Sequence, residues 1–459
     1  MRSSLLALIC MLVLIVSLHG ASSKAKAGNQ GSSQAAALRS PQKSDQGKSA
    51  DPAPGASVIQ HVIIMMQENR TPDNLFHALP GADIANVGIN SKGRKIKLEP
   101  QALDNNYGLG HLHPDFIHMY DGGKMDGADL VSGDCGDNCP PNMQFKYVRA
   151  GDVKPYFSIA EQYAFADRMF QSNQGPSYPA HQYIIAATSA PSKNSVLFDS
   201  ENTFGNSNAH GDAGCGASAE VFTQLIDPLG QEKLVTRPCF DHITLMDLLD
   251  NKGLTWKYYT ISLTYIWTGP NAISHIYYGK DWSNVVASPK QVLNDISGGR
   301  LANVTWSIPP GPSSDHPHGN NGSGPSWIAS VVNAVGNSKY WNSTAIFVTW
   351  DDWGGWYDHV APPIRNSYEY SFRVPLLVVS PYVKPGYVSH VNHDFSSIVK
   401  FVETVFGLPS LGFGDAYSDD LTDCFNFKQK PLRFHTIKAP LDANHFLSDN
   451  SPPTDPDEY

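Results

Sequence analysis

The chain has 459 residues, with 33 Lys+Arg against 43 Asp+Glu for a formal charge of −10; 41% of residues are hydrophobic and 17% charged. That apolar share is enough for a large core and excludes wholesale disorder, while the acidic balance argues against a protein that grips nucleic acid through a general basic surface. A single long apolar run and the lack of any sustained period exclude coiled-coil, collagen-like and multi-span membrane architectures.

That run comes first: Arg2, then Leu5 to Leu18, then small residues. A positive start, a short apolar stretch and a small-residue exit predict a signal peptide over residues 1–20, hence an exported protein, periplasmic or extracellular. Residues 21–56 are Ser, Ala, Gly, Gln, Lys and Pro without apolar periodicity and read as a disordered linker. The body, 57–447, reads as one catalytic domain, and 448–459, rich in Pro and acids, as a flexible tail.

Within the body, Val58 to Met66 is an apolar run of buried-strand length that ends in Gln67-Glu68-Asn69-Arg70. Tyr156 to Phe170 carries helical spacing, followed by the turn Gly175-Pro176-Ser177-Tyr178-Pro179 and an apolar stretch, Tyr183 to Ala187. Ser343 to Trp350 is a second apolar strand, closed by Asp351-Asp352; Val374 to Ser380 is a third; Phe395 to Phe406 is a helix. Strands polar on neither face belong to sheets covered on both sides, so the expected fold is α/β, a central mostly parallel sheet with helices on both faces. Such sheets hold ligands at the carboxyl ends of their strands. Glu68-Asn69 and Asp351-Asp352, brought together by neighbouring strands, supply hard oxygen donors suited to a divalent cation of unspecified identity. A Ser in a Gly/Pro turn at a helix start exposes its hydroxyl beside free backbone N–H groups. The exported cysteines suggest local pairs, Cys135 with Cys139 and Cys215 with Cys239, leaving Cys424 free.

The chain resembles the phosphoesterase family that contains bacterial phospholipases C and secreted acid phosphatases, within the alkaline-phosphatase-like superfamily. The resemblance rests on Ile63 to Arg70, Gly122-Gly-Lys-Met-Asp126-Gly127, Ala166-Asp167-Arg-Met-Phe170, Gly175 to Pro179, Asp351-Asp352-Trp-Gly-Gly-Trp-Tyr-Asp358-His359-Val-Ala-Pro-Pro363 and Arg373 to Leu377. It implies a metal held by Glu68, Asn69, Asp351, Asp352 and the oxygen of Ser177, which is also the nucleophile. Among the histidines, His111 and His316 match the family's spacing and are the candidates for protonating the leaving group. His275 is a looser match that reads better as structural. His359 is expected to orient the Asp loop, and Arg70 to touch phosphate or to form a salt bridge under the sheet. Phospholipases C of the family usually carry Thr at the nucleophile and Asp-Glu after the later strand; Ser177 and Asp351-Asp352 resemble the acid phosphatase branch. Position 180 is Ala, where an Asn is common. The expected function is a secreted, metal-dependent phosphomonoesterase acting on a phosphate-ester substrate. The alternative is a phospholipase C-type phosphodiesterase with a lipid interface, for which the aromatic stretches Trp256 to Trp267 and Trp350 to Tyr357 would be rim or, more simply, core.

Overall fold

Eight strands form the main sheet of this computed structural model, which describes residues 55–135, 139–205, 212–452 and 454, all within the unit Asp45–Tyr459. The expected signal peptide, nearly all of the linker and half of the tail lie outside the described residues. In chain order the strands are β1 (His61–Gln67), β2 (Ala164–Ala166), β3 (Trp256–Thr260), β4 (Val285–Ala287), β5 (Val304–Ser307), β6 (Thr344–Trp350), β7 (Leu376–Val379) and β8 (Tyr387–Ser389). Their spatial order is β4-β3-β5-β1-β6-β7-β2-β8. β4, β3, β5, β1 and β6 run parallel; β7 is antiparallel to both β6 and β2, and β8 is parallel to β2. The α/β reading with a mostly parallel sheet therefore holds.

The near-continuous apolar runs arise because β1 and β6 lie mid-sheet and are covered on both faces. Alternate residues of β6 show this directly: Phe347 packs on Phe401 at 4.8 Å between centroids, and Trp350 packs edge-on to Tyr156 at 5.2 Å. Tyr156 belongs to helix α2 (Lys154–Gln162) and Phe401 to α6 (Phe395–Phe406), on opposite sides of the sheet; burying one such ring is worth about 1.5–3 kcal/mol. The other helices used below are α1 (His113–Tyr120), α3 (Ser177–Ala186), α4 (Leu245–Lys252) and α5 (Gly324–Gly336).

One element differs from expectation. The helical spacing from Tyr156 to Phe170 covers a helix only to Gln162; Ala164–Ala166 then pairs with β7 and β8, and Met169–Phe170 forms a short ribbon with His393–Asp394. Over so few residues, buried apolar spacing does not separate helix from strand.

A second, smaller core sits with the loop after β6. Trp353, Trp356 and Phe372 pack there against Leu109, Phe116 and Met119. Trp256, Trp267, Trp350, Trp353 and Trp356 are all at most 2% exposed, so the tryptophans of both aromatic stretches are core, not rim. The two expected disulfides are present, and Cys424 is a buried free thiol.

The β6 loop is held by an ion cluster with no exposure. Arg373 donates to Asp358 (Nη2 to Oδ1, 2.6 Å) and lies 3.4 Å from Asp73. Burial works against the guanidinium charge, but Asp358 and Asp73 more than offset it. Arg373→Met leaves those carboxylates buried without their cation and should cost about 3–5 kcal/mol, read as a lowered denaturant midpoint.

Candidate active site

In-register pairing of β1 with β6 ends at Gln67 opposite Trp350, so Glu68 and Asp351 leave the sheet side by side. The chain then turns sharply: Asn69 has φ 59°, a left-handed conformation that costs energy in a non-glycine residue. The turn is secured by the Asn69 N–H donating to Asp351 Oδ1 (2.9 Å) and the Arg70 N–H donating to the Asp352 carbonyl (3.0 Å). Opposite it, Gly354 has φ 60° and donates its N–H to Asp352 Oδ1 (2.7 Å); a Cβ there would lie 2.5 Å from Asn69 Cβ.

The nucleophile candidate approaches on α3. Gly175 passes so close to the Ser200 carbonyl that a Cβ would clash, and Asn202 Oδ1 accepts the Tyr178 N–H at 2.9 Å. Ser177 opens the helix, and its hydroxyl donates to Asp352 Oδ2 at 3.4 Å. Glu68, Asn69, Ser177, Asp351 and Asp352 thus meet at one place, each at most 1% exposed.

Concentrating three carboxylates in a dry site is unfavourable without a cation. The amide orientation of Asn69 follows from its network: Nδ2 donates to His111 Nε2 (3.2 Å), leaving Oδ1 inside the cluster. Asn69 Oδ1 and Asp351 Oδ2 are both buried and accept no hydrogen bond among the described residues. Ligand atoms of Glu68, Asp351 and His181 lie within 4.8 Å of one another. Buried oxygens without donors, convergent and flanked by an imidazole nitrogen, fit a divalent cation.

His181 is the residue the sequence reading missed. It lies one turn after Ser177 on the same face of α3, and that i, i+4 spacing was the available signal. Tyr258 gives its hydroxyl proton to the Trp267 carbonyl (2.7 Å), so it accepts from His181 Nδ1 (3.3 Å) and Nε2 is turned to Glu68 Oε1 (3.4 Å).

The other histidines separate clearly. His111 donates from Nδ1 to the Leu109 carbonyl (2.7 Å), which leaves Nε2 facing Asn69 and, at 3.7 Å, Asp352. His316 follows the β5 strand end, with Nδ1 on the Pro317 carbonyl (2.6 Å), and lines one open pocket with His111 and Asn202. His275 bridges Asp247 and Asp241, whose bonds lift it to about 9 against partial burial; it is a charged tie at α4, in line with the structural reading. His359 bonds Asp73 (2.8 Å) and Asp83 (3.1 Å) beside Arg373. Among the described residues Arg70 hydrogen-bonds to carbonyls and amides and not to a carboxylate. Fully buried, it spends its N–H groups on the Asp315 and Leu103 carbonyls and on Asn74 and Asn105, bracing the turn from beneath.

Comparison with known proteins matches a profile of the Phosphoesterase family to residues 59–409. The chain is 23% identical over 426 residues to the non-hemolytic phospholipase C of Pseudomonas aeruginosa, covering 80% of this chain and 57% of that protein. It is 25% identical over 450 residues to phospholipase C B of Mycobacterium tuberculosis, covering 83% and 80%. Among solved structures, a protein in the alkaline phosphatase superfamily from Vibrio parahaemolyticus aligns with TM-score 0.34 and 11% identity over 86% of this chain and 74% of that one.

Proposed function

The chain belongs to the phosphoesterase family, and from that premise we propose that it hydrolyses phosphoric esters through Ser177, with a phospholipid diester of the phospholipase C type as substrate. The observation that carries the chemistry is the hydroxyl of Ser177 donating to Asp352 at a cluster of buried carboxylates. The names of the relatives support the diester reading better than the monoester reading put first by the sequence.

A divalent cation held by Glu68, Asn69, Asp351, Asp352 and Ser177 Oγ would supply charge that lowers the pKa of the Ser177 hydroxyl and offsets the phosphoryl oxygens. Ser177 Oγ loses its proton toward Asp352 Oδ2 and attacks phosphorus, forming the Ser177 O–P bond as the bond to the leaving alcohol breaks. His316, on the open side, is placed to protonate that alcohol and then to take a proton from the water that attacks phosphorus, while Asp352 returns its proton to Ser177 Oγ as the O–P bond breaks. His111, with Nδ1 donating to the Leu109 carbonyl and Nε2 accepting from Asn69 Nδ2, instead fixes the Asn69 amide with its oxygen toward the cluster. The two disulfides support the export expected from the N-terminus. No helix among the described residues is long and apolar enough to cross a membrane.

An assay of the purified protein on a choline phospholipid and on an aryl phosphate monoester tests the substrate. The expected kcat/KM favours the diester by at least about tenfold, or 1.4 kcal/mol in transition-state binding. Preference for the monoester, as Ser177 with Asp351-Asp352 first suggested, would remove the lipid assignment and leave the phosphoesterase in place.

A further inference from the structure

The cysteine left over from the disulfides lies in a second group of metal-ligating side chains. Cys424, His393 and Asp423 bring a sulfur, a ring nitrogen and a carboxylate oxygen within 4.8 Å of one another. His393 comes from the Met169–Phe170 ribbon beside the edge strand β8; Asp423 and Cys424 come from the 3-10 turn Thr422–Cys424 in the long C-terminal loop. Both backbones are fixed: the His393 N–H donates to the Arg168 carbonyl at 2.9 Å, and the Lys384 N–H to the Cys424 carbonyl at 2.9 Å.

Two buried polar atoms of the group, His393 Nδ1 and Asp423 Oδ1, have no hydrogen-bond partner among the described residues. His393 is fully buried, with Nδ1 2.9 Å from Asp419 Oδ1 yet without a hydrogen bond among the described residues. Ser389 Oγ–H donates to Asp423 Oδ2 at 2.5 Å, so its oxygen is left to accept from His393 Nε2–H at 3.1 Å. Nε2 also lies 3.5 Å from Asp423 Oδ1, and that oxygen is buried and accepts no hydrogen bond among the described residues. Two ligands on one tetrahedral zinc, each ~2.0–2.3 Å from it, stand roughly 3.3–3.7 Å apart. The Cys424 thiol is buried and outside any disulfide, and a cation bound there replaces its proton.

We propose that His393, Asp423 and Cys424 form a structural zinc site, separate from the Ser177 cluster, that clips the C-terminal loop to the sheet edge. Thiolate and imidazole select zinc over calcium or magnesium, whereas the Ser177 cluster is mainly oxygen. Binding moves the Cys424 proton to solvent and forms the sulfur–zinc bond; no redox step is involved. The inference does not depend on the proposed substrate or nucleophile.

Cobalt(II) is the probe, added to metal-stripped protein in a Cys10→Ser background with the disulfides intact. A thiolate-to-cobalt charge-transfer band in the near ultraviolet is expected at one cobalt per band-forming site. It should persist in excess magnesium, disappear with zinc, be retained in Glu68→Gln and be lost in Cys424→Ser. Absence of the band at saturating cobalt, or its persistence in Cys424→Ser, overturns the site. If Cys424→Ser does not fold, native mass spectrometry of the Cys10→Ser protein with zinc decides: an ion retained in Glu68→Gln supports the site, and none retained refutes it.

Discussion

Ser177→Ala should lower phosphate-ester turnover by about 10⁴-fold or more while the protein stays folded. The size follows from removing the atom that bonds to phosphorus, for which no neighbour on α3 substitutes: one turn on, the same face carries His181, and the Tyr178 hydroxyl donates to the Pro238 carbonyl. The structural cost is small, since Ser177 Oγ contributes one long hydrogen bond, at 3.4 Å, to Asp352, worth on the order of 1 kcal/mol. Paired measurements of kcat and thermal unfolding separate the two effects. Turnover within tenfold of wild type would remove Ser177 from the mechanism.

Asp351→Asn has the second largest expected effect, and it carries a sign that a merely structural residue would not give. Asparagine can still accept the Asn69 N–H through its side-chain oxygen, so the turn after β1 survives. The lost charge should weaken divalent-cation binding by on the order of 100-fold or more, because Asp351 Oδ2 is one of the buried oxygens with no protein donor. In metal-stripped protein the same change removes one of the crowded carboxylates and should stabilise the fold, by on the order of 1 kcal/mol or 1–2 °C in melting temperature. Calorimetry with and without the cation therefore reads opposite shifts. A variant destabilised equally in both states would make Asp351 a packing residue.

How much of this could be read in advance depended on whether the signal was local. β1, β6 and β7 were legible because strands covered on both faces must be apolar at nearly every position, and α6 because its apolar stripe is framed by the Asp394 cap and Gly407. The short β3, β4 and β5 were not singled out, and β2 was read as helix, because three to five buried residues carry no period of their own. Within the site, acids and amides directly after buried strands identified Glu68, Asn69, Asp351 and Asp352 as candidates. His181 escaped because the side chains that define its role, Tyr258 and Glu68, are remote in sequence. The bracing role of Arg70 was hidden for the same reason: its partners include backbone carbonyls in two distant loops, which no side-chain pattern announces.

The arrangement at the strand ends is best tested by anomalous diffraction from crystals soaked in manganese. The account predicts a peak bounded by Glu68, Asn69, Asp351, Asp352 and Ser177 Oγ, with ligand atoms at roughly 2.0–2.6 Å. A peak that excludes either strand end, or a filled site with Ser177 Oγ beyond coordination reach, would contradict it.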